Sequence, residues 1–171
     1  PPLRNASAFL SCSWSMFEYL RPSLVLRAPA GSLLEQTNRL VVARQQAYSR
    51  KLGIPWGISE SAYNARDIEL TYQYSNFGVP GLGLKRGLSE DLVIAPYATG
   101  LATMVDPHGA RQNFGRLAAL GAGGRYGFYD AVDFTPSRVP EGELVRHLGQ
   151  EDRVRGFDRH VIYGDQRNVI S

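Results

Sequence analysis

The segment between Ser32 and Gly53 constrains the fold most, because both of its ends are encoded locally. Ser32-Leu33-Leu34-Glu35 has capping-box spacing, with a hydroxyl to accept from the backbone and a carboxylate that reaches back. Apolar or small residues follow at Leu33, Leu34, Leu40, Val41 and Ala47, Gly53 provides the stop, and Pro55 lies just beyond. The pattern predicts a long helix with Arg39, Arg44, Arg50 and Lys51 on its solvated face. Pro96 predicts the start of a second helix, running to about Met104. Asp106-Pro107 predicts the cap and first position of a third, with Phe114, Leu117 and Ala118 inward and Gly121 past its end. Helical patterning also fits Ser61 to about Leu70, and no period-2 run of strand length separates these segments. The expected class is therefore all-α, built from packed helical hairpins with aromatic and glycine-rich loops at one end.

At 171 residues the chain has the length of one domain, and its 43% apolar and 20% charged content is ordinary for a globular protein. A formal charge of +3 with scattered basic residues argues against a nucleic-acid partner. Cys12 is the only cysteine, which excludes an internal disulfide and a cysteine-based zinc site. His108, His147 and His160 have no ligand spacing, so neither a metal nor another cofactor is expected. The chain begins Pro1-Pro2 without a methionine or signal-like segment, and reads as an internal piece of a longer protein.

Two loops carry the candidate chemistry. Trp56-Gly57-Ile58-Ser59-Glu60-Ser61-Ala62-Tyr63-Asn64 sets a glutamate among small residues with an aromatic on either side. Sugar chemistry needs a carboxyl group to move a proton and flat apolar faces to hold a pyranose. As structure alone, Glu60 would be a favourable first-turn acid behind a serine cap. The second loop, residues 123–136, places Asp130 after Tyr126, Phe128 and Tyr129, aromatics that would otherwise plug a core. Gly78 to Gly87 is a glycine-dense loop ending in Lys85-Arg86; it matches neither nucleotide-binding fingerprint and is expected to shape a cleft. Glu18, in an aromatic run, is a further candidate acid.

Several long motifs together resemble one family. WGISESAYN, YQYSNFGVPGLGLKRGL at 72–88, VIAPYATGLATMVDP at 93–107 and GRYGFYDAVDFTPSR at 124–138 are similar, in order and spacing, to the glycoamylase-like domain of bacterial cyclic β-1,2-glucan synthases. The resemblance implies a partial (α/α)6 toroid within residues 1–143. It stops after Pro140-Glu141-Gly142-Glu143, and residues 144–171 read as a divergent tail, frameshifted or disordered. It also implies a large parent anchored in the bacterial inner membrane, with this domain soluble and cytoplasmic and packed against the rest of the polypeptide. The implied activity is transglycosylation that closes β-1,2-glucan into rings. An endo-acting β-1,2-glucan hydrolase of the same fold and an inactive carbohydrate-binding remnant are the alternatives.

Carried onto this chain, Glu60 is the expected general acid/base. Asp130 is the expected partner carboxylate, at a position where many synthases have glutamate. Trp56, Tyr63, Tyr74, Phe77, Tyr126 and Tyr129 are expected sugar platforms. Arg86 and Arg138 are expected to bind sugar hydroxyls or hold a carboxylate ionised. The gap between the acids separates mechanisms, at about 5–5.5 Å for a covalent retaining route and about 6.5–9.5 Å for an inverting one.

Overall fold

The computed structural model describes residues 8–13, 15–69, 71–82, 87 and 90–138. The Lys85-Arg86 pair and the whole 144–171 tail lie outside the described residues. Among the described residues are four α-helices, α1 Met16–Leu20, α2 Leu33–Leu52, α3 Pro96–Ala102 and α4 Pro107–Ala119, with short strands between α2 and α3 and after α4. The strands are β1 Ser61–Arg66, β2 Tyr72–Ser75, β3 Val93–Ile94, β4 Gly123–Gly124, β5 Gly127–Phe128 and β6 Val132–Asp133. They pair as β1–β2, β3–β6 and β4–β5.

The local end signals act as their chemistry predicts. Ser32 accepts from the Glu35 N–H, Glu35 reaches back to the Gly31 N–H, and Gly53 closes α2 at φ 71°. Asp106 accepts from the Gly109 N–H at 2.9 Å and opens α4.

The all-α, toroidal expectation is corrected, because the segment between α2 and α3 and the segment after α4 pair as antiparallel β-ribbons. Residues 61–66, expected as helix, form β1, with Ser61 opposite Ser75 and Ala62 opposite Tyr74. Burial along β1 runs buried, buried and then graded outward instead of alternating, so the sequence carries no period-2 signature. The remaining pairs are two residues long: β3–β6 joins distant segments, Val93 with Asp133, and β4–β5 is a tight hairpin, Gly124 with Gly127.

Two apolar clusters fill the interior. Ile58, Phe77, Val79, Val93, Ile94, Leu117 and Phe134 form one beneath the ribbons. Met16, Leu20, Val41, Val42 and Trp56 form the other with Ala95, Ala98, Ala102 and Ala110, whose small side chains let α3 and α4 approach the rest. The buried face of α2 also carries Thr37, Asn38, Gln45 and Ser49. Arg44, expected on the solvated face, is instead half-buried and donates to the Pro80 carbonyl at 2.8 and 3.1 Å, tying α2 to the glycine loop. Among the described residues, no helix is long and apolar enough to cross a membrane.

Candidate active site

The site is built on the extended segment Trp56–Glu60, which two buried side-chain amides hold like short pieces of sheet. Asn113 of α4 accepts from the Trp56 N–H at 3.0 Å and donates to its carbonyl at 2.7 Å. Gln45 of α2 does the same for Ile58, at 2.9 and 2.7 Å. Between them Gly57 has φ 120°, and a Cβ there would lie 3.2 Å from the Ala95 carbonyl oxygen. A side chain there would be strained by that backbone conformation and crowded by the contact.

Beyond the clamps the chain reaches Ser59 and Glu60. Ser59 Oγ lies 2.9 Å from Ser15 Oγ and 2.9 Å from Tyr97 Oη, and it accepts from the Phe17 N–H at 3.0 Å. Tyr97 Oη donates to the Glu60 carbonyl at 2.7 Å. The Glu60 main chain is therefore held on one side by the start of α1 and on another by the first turn of α3. Its side chain is half-buried.

Asp130 enters from the opposite segment. Its Oδ2 accepts from the Ala62 N–H at 2.8 Å, which brings the second acid to the start of β1, two residues beyond Glu60. Burial pushes the Asp130 carboxyl above the usual aspartate range, and the Ala62 N–H offsets this only in part. Burial likewise pushes the Tyr97 phenol far above the usual tyrosine range. The Ser59 hydrogen bond opposes that rise, and Tyr74, Glu60 and Asp130 add to it through their charges. Tyr97 thus lies within the electrostatic reach of Glu60, Asp130 and Tyr74.

The other expected site residues fall into distinct places. Tyr74 is exposed on β2 opposite Ala62. Tyr129 is half-buried beside Asp130, and Tyr126 stands exposed in the β4–β5 turn with the Arg125 guanidinium 5.4 Å from its ring centroid. Trp56 and Phe77, expected as sugar platforms, are 6% and 2% exposed and pack in the two clusters, so neither presents a face to a ligand. Tyr63 packs edge-on to Phe77 at 5.4 Å and lies under the Arg138 guanidinium at 4.8 Å.

Arg138 is committed to protein acceptors rather than to sugar hydroxyls. It donates to Asp133 at 2.6 and 3.1 Å, to Asp91 at 2.5 Å and to Thr135 at 2.6 Å. Asp133 is fully buried and also accepts from the Asn64 N–H, so this network fastens β1 to β6. Burial disfavours the Arg138 charge, but the bonds to Asp133 and Asp91 outweigh it and raise its pKa. Arg86 lies outside the described residues. Glu18 accepts from the Ser13 N–H at 2.9 Å. Burial works to raise its pKa, but hydrogen bonds from Ser13 and Ser11 and the Arg21 charge lower it overall, and the residue ties the N-terminal segment to α1.

Tyr97 was not among the expected site residues. Its signal lay in the Ala95-Pro96-Tyr97 junction, where a proline at the first helical position fixes the next side chain at the mouth of α3.

A family model described as putative glucoamylase (Glycoamylase) matches residues 7–152. The chain belongs to the glycoamylase family. Glu60, Asp130 and Tyr97 all lie within the match. Over 142 residues the glycoamylase chain is 61% identical to the cyclic β-(1,2)-glucan synthase NdvB of Rhizobium meliloti (strain 1021). That stretch is 83% of this chain and 5% of the relative, so the chain spans about one-twentieth of that protein's length.

Proposed function

We propose that this glycoamylase chain contributes the transglycosylation site of a cyclic β-1,2-glucan synthase, with linear β-1,2-glucan as its substrate. The carrying observation is the bond from the Ala62 N–H to Asp130, which draws the second carboxylate to the strand that begins beside Glu60. The likeness to NdvB supplies the linkage, since that relative is by name a cyclic β-(1,2)-glucan synthase.

In this reading protonated Glu60 gives its proton to the glycosidic oxygen as ionised Asp130 attacks the anomeric carbon and the C–O bond breaks. The 2-hydroxyl at the far end of the same chain then attacks that carbon. Glu60, now a carboxylate, takes the hydroxyl proton and Asp130 leaves, closing the ring without consuming water. Tyr74, Tyr126 and Tyr129 offer ring faces or phenols to the glucosyl units. The remainder of the parent polypeptide packs around the site, and in that parent the domain sits at the bacterial inner membrane.

Glu60→Gln tests the role of the acid. Turnover of linear β-1,2-glucan should fall by at least about a thousandfold while affinity for the glucan changes less than about threefold. Turnover within about tenfold of the unmodified protein would remove Glu60 from the chemistry.

A further inference from the structure

The polarity of the hydroxyl chain around Glu60 can be worked out from its partners. A carbonyl only accepts, so the single Tyr97 proton is spent on the Glu60 carbonyl. The 2.9 Å contact between Tyr97 and Ser59 then requires Ser59 to donate. Having given up its own proton, Ser59 must receive one from Ser15 across their 2.9 Å contact. Ser15 can supply it, because Ser15 Oγ already accepts from the Phe17 N–H at 3.1 Å and the Glu60 N–H at 3.4 Å. Every proton in the chain Ser15, Ser59, Tyr97, Glu60 carbonyl is accounted for in one direction.

The chain leaves Tyr97 without a proton to offer a ligand. Its oxygen keeps acceptor capacity, and these two bonds are its hydrogen bonds among the described residues. Tyr97 is 36% exposed, edge-on to Phe17, and an electrostatic neighbour of Glu60, Asp130 and exposed Tyr74. A neutral ligand rich in hydroxyl donors suits such a group, whereas an anion, which can only accept, does not.

We propose that Tyr97 is a substrate-binding residue, locked by the Ser15–Ser59 relay as an acceptor for one glucosyl hydroxyl beside Glu60 and Asp130. This rests on the glucan reading of the site. It assigns Tyr97 two tasks, anchoring the Glu60 backbone through its proton and selecting a sugar hydroxyl through its oxygen.

The test uses the full-length polypeptide in which this chain occurs, carrying Glu60→Gln so that bound glucan is not turned over. Affinity is measured by calorimetry for β-1,2-linked glucose oligosaccharides, intact or deoxygenated singly at O3, O4 or O6. Tyr97→Phe should weaken binding of the intact sugar about five- to tenfold, the range of one neutral hydrogen bond. One deoxy sugar should lose the same factor with Tyr97 present and nothing further in the Tyr97→Phe variant. That coupling separates contact with substrate from a purely structural role, which would weaken all the sugars alike. Equal affinity with and without Tyr97→Phe, or a uniform loss with no coupled hydroxyl, would overturn the proposal. No glucan binding even with Tyr97 intact would remove the glucan reading itself, and this contact with it.

Discussion

Asp130 is where residue chemistry decides most. A nucleophile or base must be ionised, yet burial favours the protonated form and the Ala62 N–H only partly restores the charge. Activity should therefore be lost on the acid side at a higher pH than an ordinary aspartate would give. For stability, the folded pKa lies above the unfolded one, so the folded state binds more protons between the two. This contribution is fully present below the unfolded pKa and is lost as pH rises through the folded pKa. Asp130→Asn keeps an acceptor for the Ala62 N–H and has no charge to bury. The Asn variant should melt at or above the wild-type temperature near pH 7, lose that advantage on acidification, and be inactive. Scanning calorimetry at pH 7 and pH 4 checks it; a lower melting temperature at pH 7 contradicts the account. Aromatic surroundings made Glu60 and Asp130 candidates in the sequence. The approach of Asp130 to the start of β1 was not legible there, because it depends on a hydrogen bond from Ala62 to a residue far along the chain. Trp56 and Phe77 misled for a related reason: an aromatic beside an acid has the same composition in a cleft wall as in a core.

At the scale of elements, the extended run before Glu60 is rigid because α2 and α4 lend it side chains beside its antiparallel bridge to Ile94. Replacing Gln45 with Leu preserves approximate volume but leaves the buried Ile58 N–H without its partner and its carbonyl with only the longer 3.4 Å bond from the Met16 N–H. The expected cost is about 2 kcal/mol, from one orphaned N–H at about 1–3 kcal/mol and a weakened carbonyl, and a urea titration reads it directly. Where the variant still folds, kcat should fall more than KM rises if Glu60, which the loosened segment carries, is the proposed acid. A loss below about 1 kcal/mol would mean that the clamp is dispensable. The helix ends were legible because Ser32, Gly53, Asp106 and Pro107 act within one turn. Gln45 was not, since a buried glutamine on a helix face resembles an exposed one until its backbone partner is known. The strands were hidden because they are short or non-alternating, and β3 also pairs with β6 over a long separation.

At the scale of the whole molecule, the helices and ribbons converge on one region. The mouths of α1 and α3 hold Ser59 and the Glu60 main chain, β1 leads away from it, and the segment before β6 delivers Asp130. The Arg138–Asp133–Asp91 network then fastens β1 to the far side of that junction. The motifs told the family; the three-dimensional arrangement told which of their aromatics are buried and which are exposed. Ring closure is the central claim, and the product of the intact polypeptide reports on it most directly. Linear β-1,2-glucan of defined length should be incubated with the full-length protein and the products weighed by mass spectrometry. The account predicts species one water lighter than linear chains of the same glucose number, absent with Glu60→Gln. Shorter linear chains alone would contradict transglycosylation and mark the site as hydrolytic.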